Sequence, residues 1–150
     1  MEKSIKISNF SDVIYIDCNK TYDDRSIVIF DDYKLDFPKI DYDAMCQHMI
    51  DIFTTAIQKS QTRNLQDFVI ICYLNEKRKN SINMKSMYQL LTIMKTLFKD
   101  NLYKCVFVNC NKYFKMTFKL ITPILDMSIR KRIVFSNLTD IDNQLTNLKE

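Results

Sequence analysis

Glycine is absent from the 150 residues of this chain. Loops that cradle phosphates rely on glycine, which lets the backbone approach a ligand and take positive φ. Neither a Walker loop nor a dinucleotide-binding fingerprint can be written here, which excludes nucleotide-dependent enzymes of those kinds. A nucleophile elbow needs glycine as well and is excluded with them. Left-handed backbone positions must fall to asparagine and aspartate, which tolerate them. Histidine occurs once, as His48, and none of the five cysteines forms a CxxC, so no zinc site of the usual ligand sets is expected. No uncharged apolar run reaches the roughly 18 residues of a membrane span. The opening MEKSIKISNF lacks the apolar stretch of a secretion signal. A cytoplasmic protein is the expectation.

What is present suits a single α/β domain over 1–150. The chain is 47% hydrophobic with a formal net charge of +4. That charge permits attraction to an anionic surface without requiring one. Cys72 and Cys105 sit inside apolar runs, where a reduced thiol behaves as a small hydrophobe.

Periodicity sets the expected elements. DVIYID (12–17) and SIVIFD (26–31) read as strands joined by the polar KTYDDR. A linker holding Pro38 follows, and Asp41 is placed to cap a helix with Met45, Met49, Ile52, Phe53 and Ala56 on one stripe. DFVIICYL (67–74) reads as a strand buried on both faces. A loop, NEKRKN, leads to Asn80 or Ser81 as cap of a second helix, whose buried side carries Met84, Met87, Leu90, Leu91, Met94, Leu97 and Phe98. YKCVFVN (103–109) is a further strand, Asn111 a cap for a helix over 112–121, RIVFSN (132–137) another strand, and LTDIDNQLTNL a closing helix. The order β-β-α-β-α-β-α-β-α implies a sheet covered by helices.

Few residues offer chemistry. Cys46 and His48 lie two apart on a helix and point in different directions, so a Cys/His nucleophile pair is not expected and no catalytic residue is assigned. The basic loop over 76–79 lacks aromatic interleaving and reads as a solvated loop, not a nucleic-acid contact. The segment 112–131 is different. Tyr113, Phe114, Met116, Phe118, Leu120, Ile121, Ile124, Leu125, Met127 and Ile129 exceed the needs of one narrow stripe, and Lys112, Lys115, Lys119, Arg130 and Lys131 are interleaved. Pro123 breaks or kinks the helix. Such a segment can pack on a sheet with one face and line a cavity with the other. It can equally be an ordinary core helix with a solvated cationic face.

Residues 98–137, FKDNLYKCVFVNCNKYFKMTFKLITPILDMSIRKRIVFSN, carry a resemblance. An acidic residue at Asp100, an apolar strand ending at Asn109, and a helix bearing Phe114 and Phe118 follow one another in order. Pro123-Ile124-Leu125-Asp126 and then Arg132-Ile133 complete the register. The stretch resembles the core of the CRAL-TRIO family of lipid-binding domains, most closely its compact BCH and Rho-GAP-associated branch. Asn111 replaces a family proline, Thr122 a lysine and Tyr103 a common glycine.

The resemblance implies a three-layer α/β fold, with a mostly parallel twisted sheet flanked by helices and without the N-terminal helical lobe of the transfer proteins. It implies non-catalytic binding of a hydrophobic or phosphoinositide-type lipid in an apolar cavity roofed by 112–131, with lipid transfer or sensing at a membrane surface and no cofactor. Tyr113, Phe114, Phe118, Ile121, Ile124 and Leu125 would line the pocket. Asp100 and Arg132 would meet the headgroup, or else form an unrelated surface pair. Lys115, Lys119, Arg130 and Lys131 would face an anionic membrane. The other function left open is a protein-interaction scaffold of BCH type with a collapsed cavity, at which Tyr103 hints.

Overall fold

The computed structural model describes residues 9–34, 40–74 and 84–148, and only the backbone of Tyr33, Met84 and Ile124. The linker around Pro38, the basic loop over 76–79 and the cap expected at Asn80 or Ser81 lie outside the described residues. The elements are β1 (Ile14–Tyr22), β2 (Arg25–Asp31), α1 (Tyr42–Gln61), β3 (Phe68–Tyr73), α2 (Met84–Leu97), β4 (Leu102–Val108), α3 (Lys112–Ile121), α4 (Met127–Arg130), β5 (Ile133–Ser136), α5 (Leu138–Gln144) and β6 (Leu145–Asn147).

The strands form one sheet in the order β5-β4-β3-β2-β1-β6. β2, β3, β4 and β5 pair in parallel, and β1 runs antiparallel to β2 and β6. The α/β class with a mostly parallel sheet is as expected. Parallel strands added in sequence order advance in one direction, so right-handed crossovers put their helices on one face. α1, α2, α3 and α4 accordingly pack one face in a single apolar cluster. The opposite face is covered by the short α5 through Ile141 and by Leu145 of β6. The three layers are therefore unequal.

β3 shows why its run is uninterrupted. Phe68, Ile70 and Cys72 enter the helical side, while Val69 and Ile71 enter the other cluster, so alternate residues of both sets are apolar. α1 begins at Asp41, whose Oδ1 accepts from the Ala44 amide at 3.1 Å. Its buried stripe is Met45, Met49, Phe53, Ala56 and Ser60. Ser60 interrupts the apolar stripe because its Oγ accepts from the Ser26 amide at 3.0 Å. His48 Nε2 lies 2.7 Å from the Ile14 carbonyl, and that nitrogen, as donor, ties α1 to β1. Cys46 instead donates to Gln89 of α2, so the two side chains do not converge.

Two differences from the sequence expectation shape the second face. β1 runs on through KTY, and 18–20 fall outside its register with β2. An irregularity of this kind bends a strand and re-aims its end. Tyr22 thereby reaches Tyr103 of β4, ring centroids 6.3 Å apart, across the two intervening strands. The connection to β2 is only Asp23-Asp24, both at positive φ. The second difference is β6, which pairs with the turned end of β1 where a helix was expected to continue. Every positive-φ residue among those described is Asp or Asn: Asp23, Asp24, Asn64 and Asn109.

Candidate functional site

The site grows out of the end of β4. Asn109 takes φ 63 and turns the chain off the sheet. Asn111 then caps α3, its Oδ1 accepting from the Phe114 amide at 2.8 Å. α3 ends at Ile121, and the Thr122 hydroxyl donates back to the Phe118 carbonyl at 2.9 Å. Pro123 sits in the following 3-10 turn, Thr122–Ile124. Asp126 caps α4, its Oδ1 accepting from the Ser128 amide.

α3 is apolar on two sides. Inward, Phe114 and Phe118 stack on each other at 5.7 Å and meet Phe107 of β4 at 5.2 Å, tilted, and 5.5 Å, edge-on. Phe135 of β5 closes the group, 5.6 Å from Phe118 and nearly perpendicular to it. Leu125 and Ile129 are buried beside them. Outward, Leu120 is 77% exposed, Met116 65% and Tyr113 45%. Lys112, Lys115 and Lys119 lie along the neighbouring stripe, all three exposed. Met127 and Lys131 are exposed beyond the proline.

Of the residues expected to line a pocket, Phe114, Phe118 and Leu125 are buried and Ile121 half-buried, whereas Tyr113 faces outward; the side chain of Ile124 lies outside the described ones. Beneath the segment Phe114 and Phe118 are buried against each other, and among the described residues one cleft beside it measures about 90 Å³. That cleft lies against α2, between Tyr88, Leu91 and Thr92 on one side and Ile121 and Leu125 on the other. Ligand pockets usually measure about 300–1,000 Å³. Tyr103 takes no part in the burial of these rings, since it packs on the opposite cluster.

Arg132 reaches the turn that holds Asp100, bonding its backbone and not the Asp100 carboxylate. Arg132 Nη1 donates to the carbonyls of Lys99 at 2.5 Å and Leu102 at 2.8 Å, on either side of Asp100. The guanidinium thus clamps the α2–β4 turn onto the start of β5. Lys99 Nζ lies 2.7 Å from Asp126 Oδ2. That ammonium, with the Ser128 amide, holds the Asp126 carboxyl down at about 2, and the same bond raises Lys99. Sequence reasoning missed the Lys99–Asp126 pair and the clamp; the Asp before a four-residue helix was the available signal for the first. Of the cations expected to face a membrane, Lys115, Lys119 and Lys131 are exposed and Arg130 is half-buried.

Burial pushes the Cys110 thiol up to about 12 and Cys72, which also meets Cys105, well above its ordinary value. Burial thus disfavours the thiolate at the buried Cys72 and the partly buried Cys110. No cluster among the described residues could hold a metal ion, and no described helix is long and apolar enough to cross a membrane.

A mostly parallel sheet with its main helical layer on one face, and a last crossover that turns at a proline, defines an α/β domain. A model of the CRAL/TRIO domain matches residues 11–149. The chain belongs to the CRAL/TRIO family, whose domains bind lipophilic ligands. It is similar in fold to the crystal structure of Sfh5, with a TM-score of 0.63 at 16% identity over 89% of this chain. The chain spans about half of that one, 52%. No curated protein sequence matches it.

Proposed function

We propose that this protein binds a lipophilic ligand beneath the 112–131 segment and exchanges it at an anionic membrane surface. The observation that carries this reading is the second apolar side of α3. Tyr113, Met116 and Leu120 recur at three- and four-residue steps, and Lys112, Lys115 and Lys119 do the same one position earlier. Apolar and cationic stripes side by side suit a helix lying in a lipid interface. Full burial of a leucine contributes about 1.5–3 kcal/mol, and a cation near an anionic leaflet about 1 kcal/mol.

In the closed arrangement Phe114 and Phe118 fill the place of the ligand. Their contacts with the sheet are apolar and non-directional, so the segment can lift from it when its outer side gains a lipid surface. Arg132, beside Asp100, is the contact for a phosphoinositide-type headgroup that the family resemblance implies. Vesicle sedimentation tests the reading. Leu120→Asp, with the fold intact, should lower partitioning onto phosphatidylserine-containing vesicles at least tenfold, and equal partitioning would overturn it.

A second reading draws on the buried phenylalanine cluster: a scaffold of BCH type that works through protein contacts. Light scattering separates the two. A stable dimer that ignores vesicles favours the scaffold.

A further inference from the structure

We propose that the second face of the sheet carries a separate site for a compact amphipathic monoanion, such as a short-chain carboxylate. A cavity of about 450 Å³ lies there, under α5 and inside the curl made by the turned end of β1. Its size is within the range of small-ligand pockets, and the whole sheet separates it from the cover segment. The floor is apolar: Val106 of β4 and Val134 of β5 are register partners, and Ile141 closes one side.

Polar residues line the cavity as well: Lys104 of β4, and the exposed Asn143 and Gln144 of α5. The Lys104 ammonium sits 5.6 Å from the Tyr22 ring and 5.7 Å from the Tyr103 ring. Tyr103 is itself held in place. Its hydroxyl donates to Asp23 at 2.9 Å, and the Arg25 guanidinium lies over its ring, 3.9 Å from the centroid. Arg25 is balanced by Asp67, to which its Nε donates at 2.8 Å. Lys104 has no carboxylate at ion-pair distance among the described residues. Asp140 also lines the cavity, but its carboxylate accepts from Asn137 Nδ2 at the start of α5.

One positioned cation over an apolar floor selects a single negative charge on an apolar body. A dianion would leave half its charge unmatched, and a cation would meet Lys104 directly. The two tyrosine rings lie within cation–π reach of the ammonium and favour its place over the floor.

The test titrates the isotope-labelled full chain with octanoate and with octylamine, its charge-reversed counterpart, following backbone amides by NMR. Octanoate should saturate with shifts centred on Val106, Val134 and Ile141, and octylamine should bind at least tenfold more weakly. Lys104→Met, which keeps the stem, should weaken octanoate about tenfold or more. Val134→Trp should abolish binding by filling the cavity, and Leu120→Asp should leave it unchanged. Equal binding of the two probes overturns the proposal. So does unchanged octanoate affinity in a folded Lys104→Met protein, or shifts centred on Ile121 and Leu125 instead.

Discussion

Replacing Phe118 by alanine tests the docking of α3 on the sheet. Phe118 is 5% exposed and meets three other rings, Phe107, Phe114 and Phe135, at 5.5, 5.7 and 5.6 Å. Truncating a buried phenylalanine costs about 3–5 kcal/mol. Each aromatic pair adds about 0.5–1.5 kcal/mol beyond its buried area, which places this site in the upper half of that range, about 4 kcal/mol. For a domain of this size the melting temperature should fall by about 8–16 °C. Leu120→Ala, two residues on and facing outward, should change stability by less than about 0.5 kcal/mol. Urea unfolding followed by circular dichroism measures both. The midpoint should move with an unchanged slope for Phe118→Ala alone. A loss below about 1 kcal/mol at Phe118, or equal losses at both positions, would refute the assignment of inner and outer sides.

Further outcomes follow from the same geometry. The Asp126 carboxyl titrates at about 2, below its ordinary value, so its pairing with Lys99 stabilises above about pH 4 and is lost as pH falls through 2. Asp126→Asn keeps a capping side chain, so it should melt lower than the wild type at pH 5, by a gap that shrinks as pH falls towards 2; a gap of the same size at pH 5 and pH 2 contradicts the pairing. Asn109→Val puts a β-branched residue at φ 63 and should cost about 1–2 kcal/mol; Asn109→Gly should be close to neutral in the same urea titration. A thiol reagent at pH 8 should modify the exposed Cys18 at once and reach the buried Cys72 only on unfolding; prompt labelling of Cys72 would contradict the packing of β3.

Several elements were legible because local chemistry decides them. α3 spans 112–121 with Asn111 as its cap, since an asparagine before an amphipathic run has one good use for its side chain. The buried strands β3 and β4 fall within a residue of their expected limits, their apolar runs leaving no alternative of that length. β6 was hidden because Leu145-Thr146-Asn147 has no pattern of its own. It is a strand only because the turned end of β1 offers it a partner. The clamp of Arg132 was hidden for another reason: its acceptors are backbone carbonyls, which carry no residue signature. The interior of the site was legible as apolar but its ring cluster was not. Phe107, Phe114, Phe118 and Phe135 come from three elements, and only their packing shows that the rings occupy one another's space.

The most direct measurement is native mass spectrometry of the full chain after incubation with mixed phosphatidylcholine, phosphatidylserine and phosphatidylinositol vesicles and repurification. A cover that lifts at a membrane and closes over an apolar guest yields a one-to-one protein–lipid mass, which diminishes with Leu120→Asp. A spectrum holding only the bare chain, from protein that demonstrably bound the vesicles, would show that α3 touches membranes without opening.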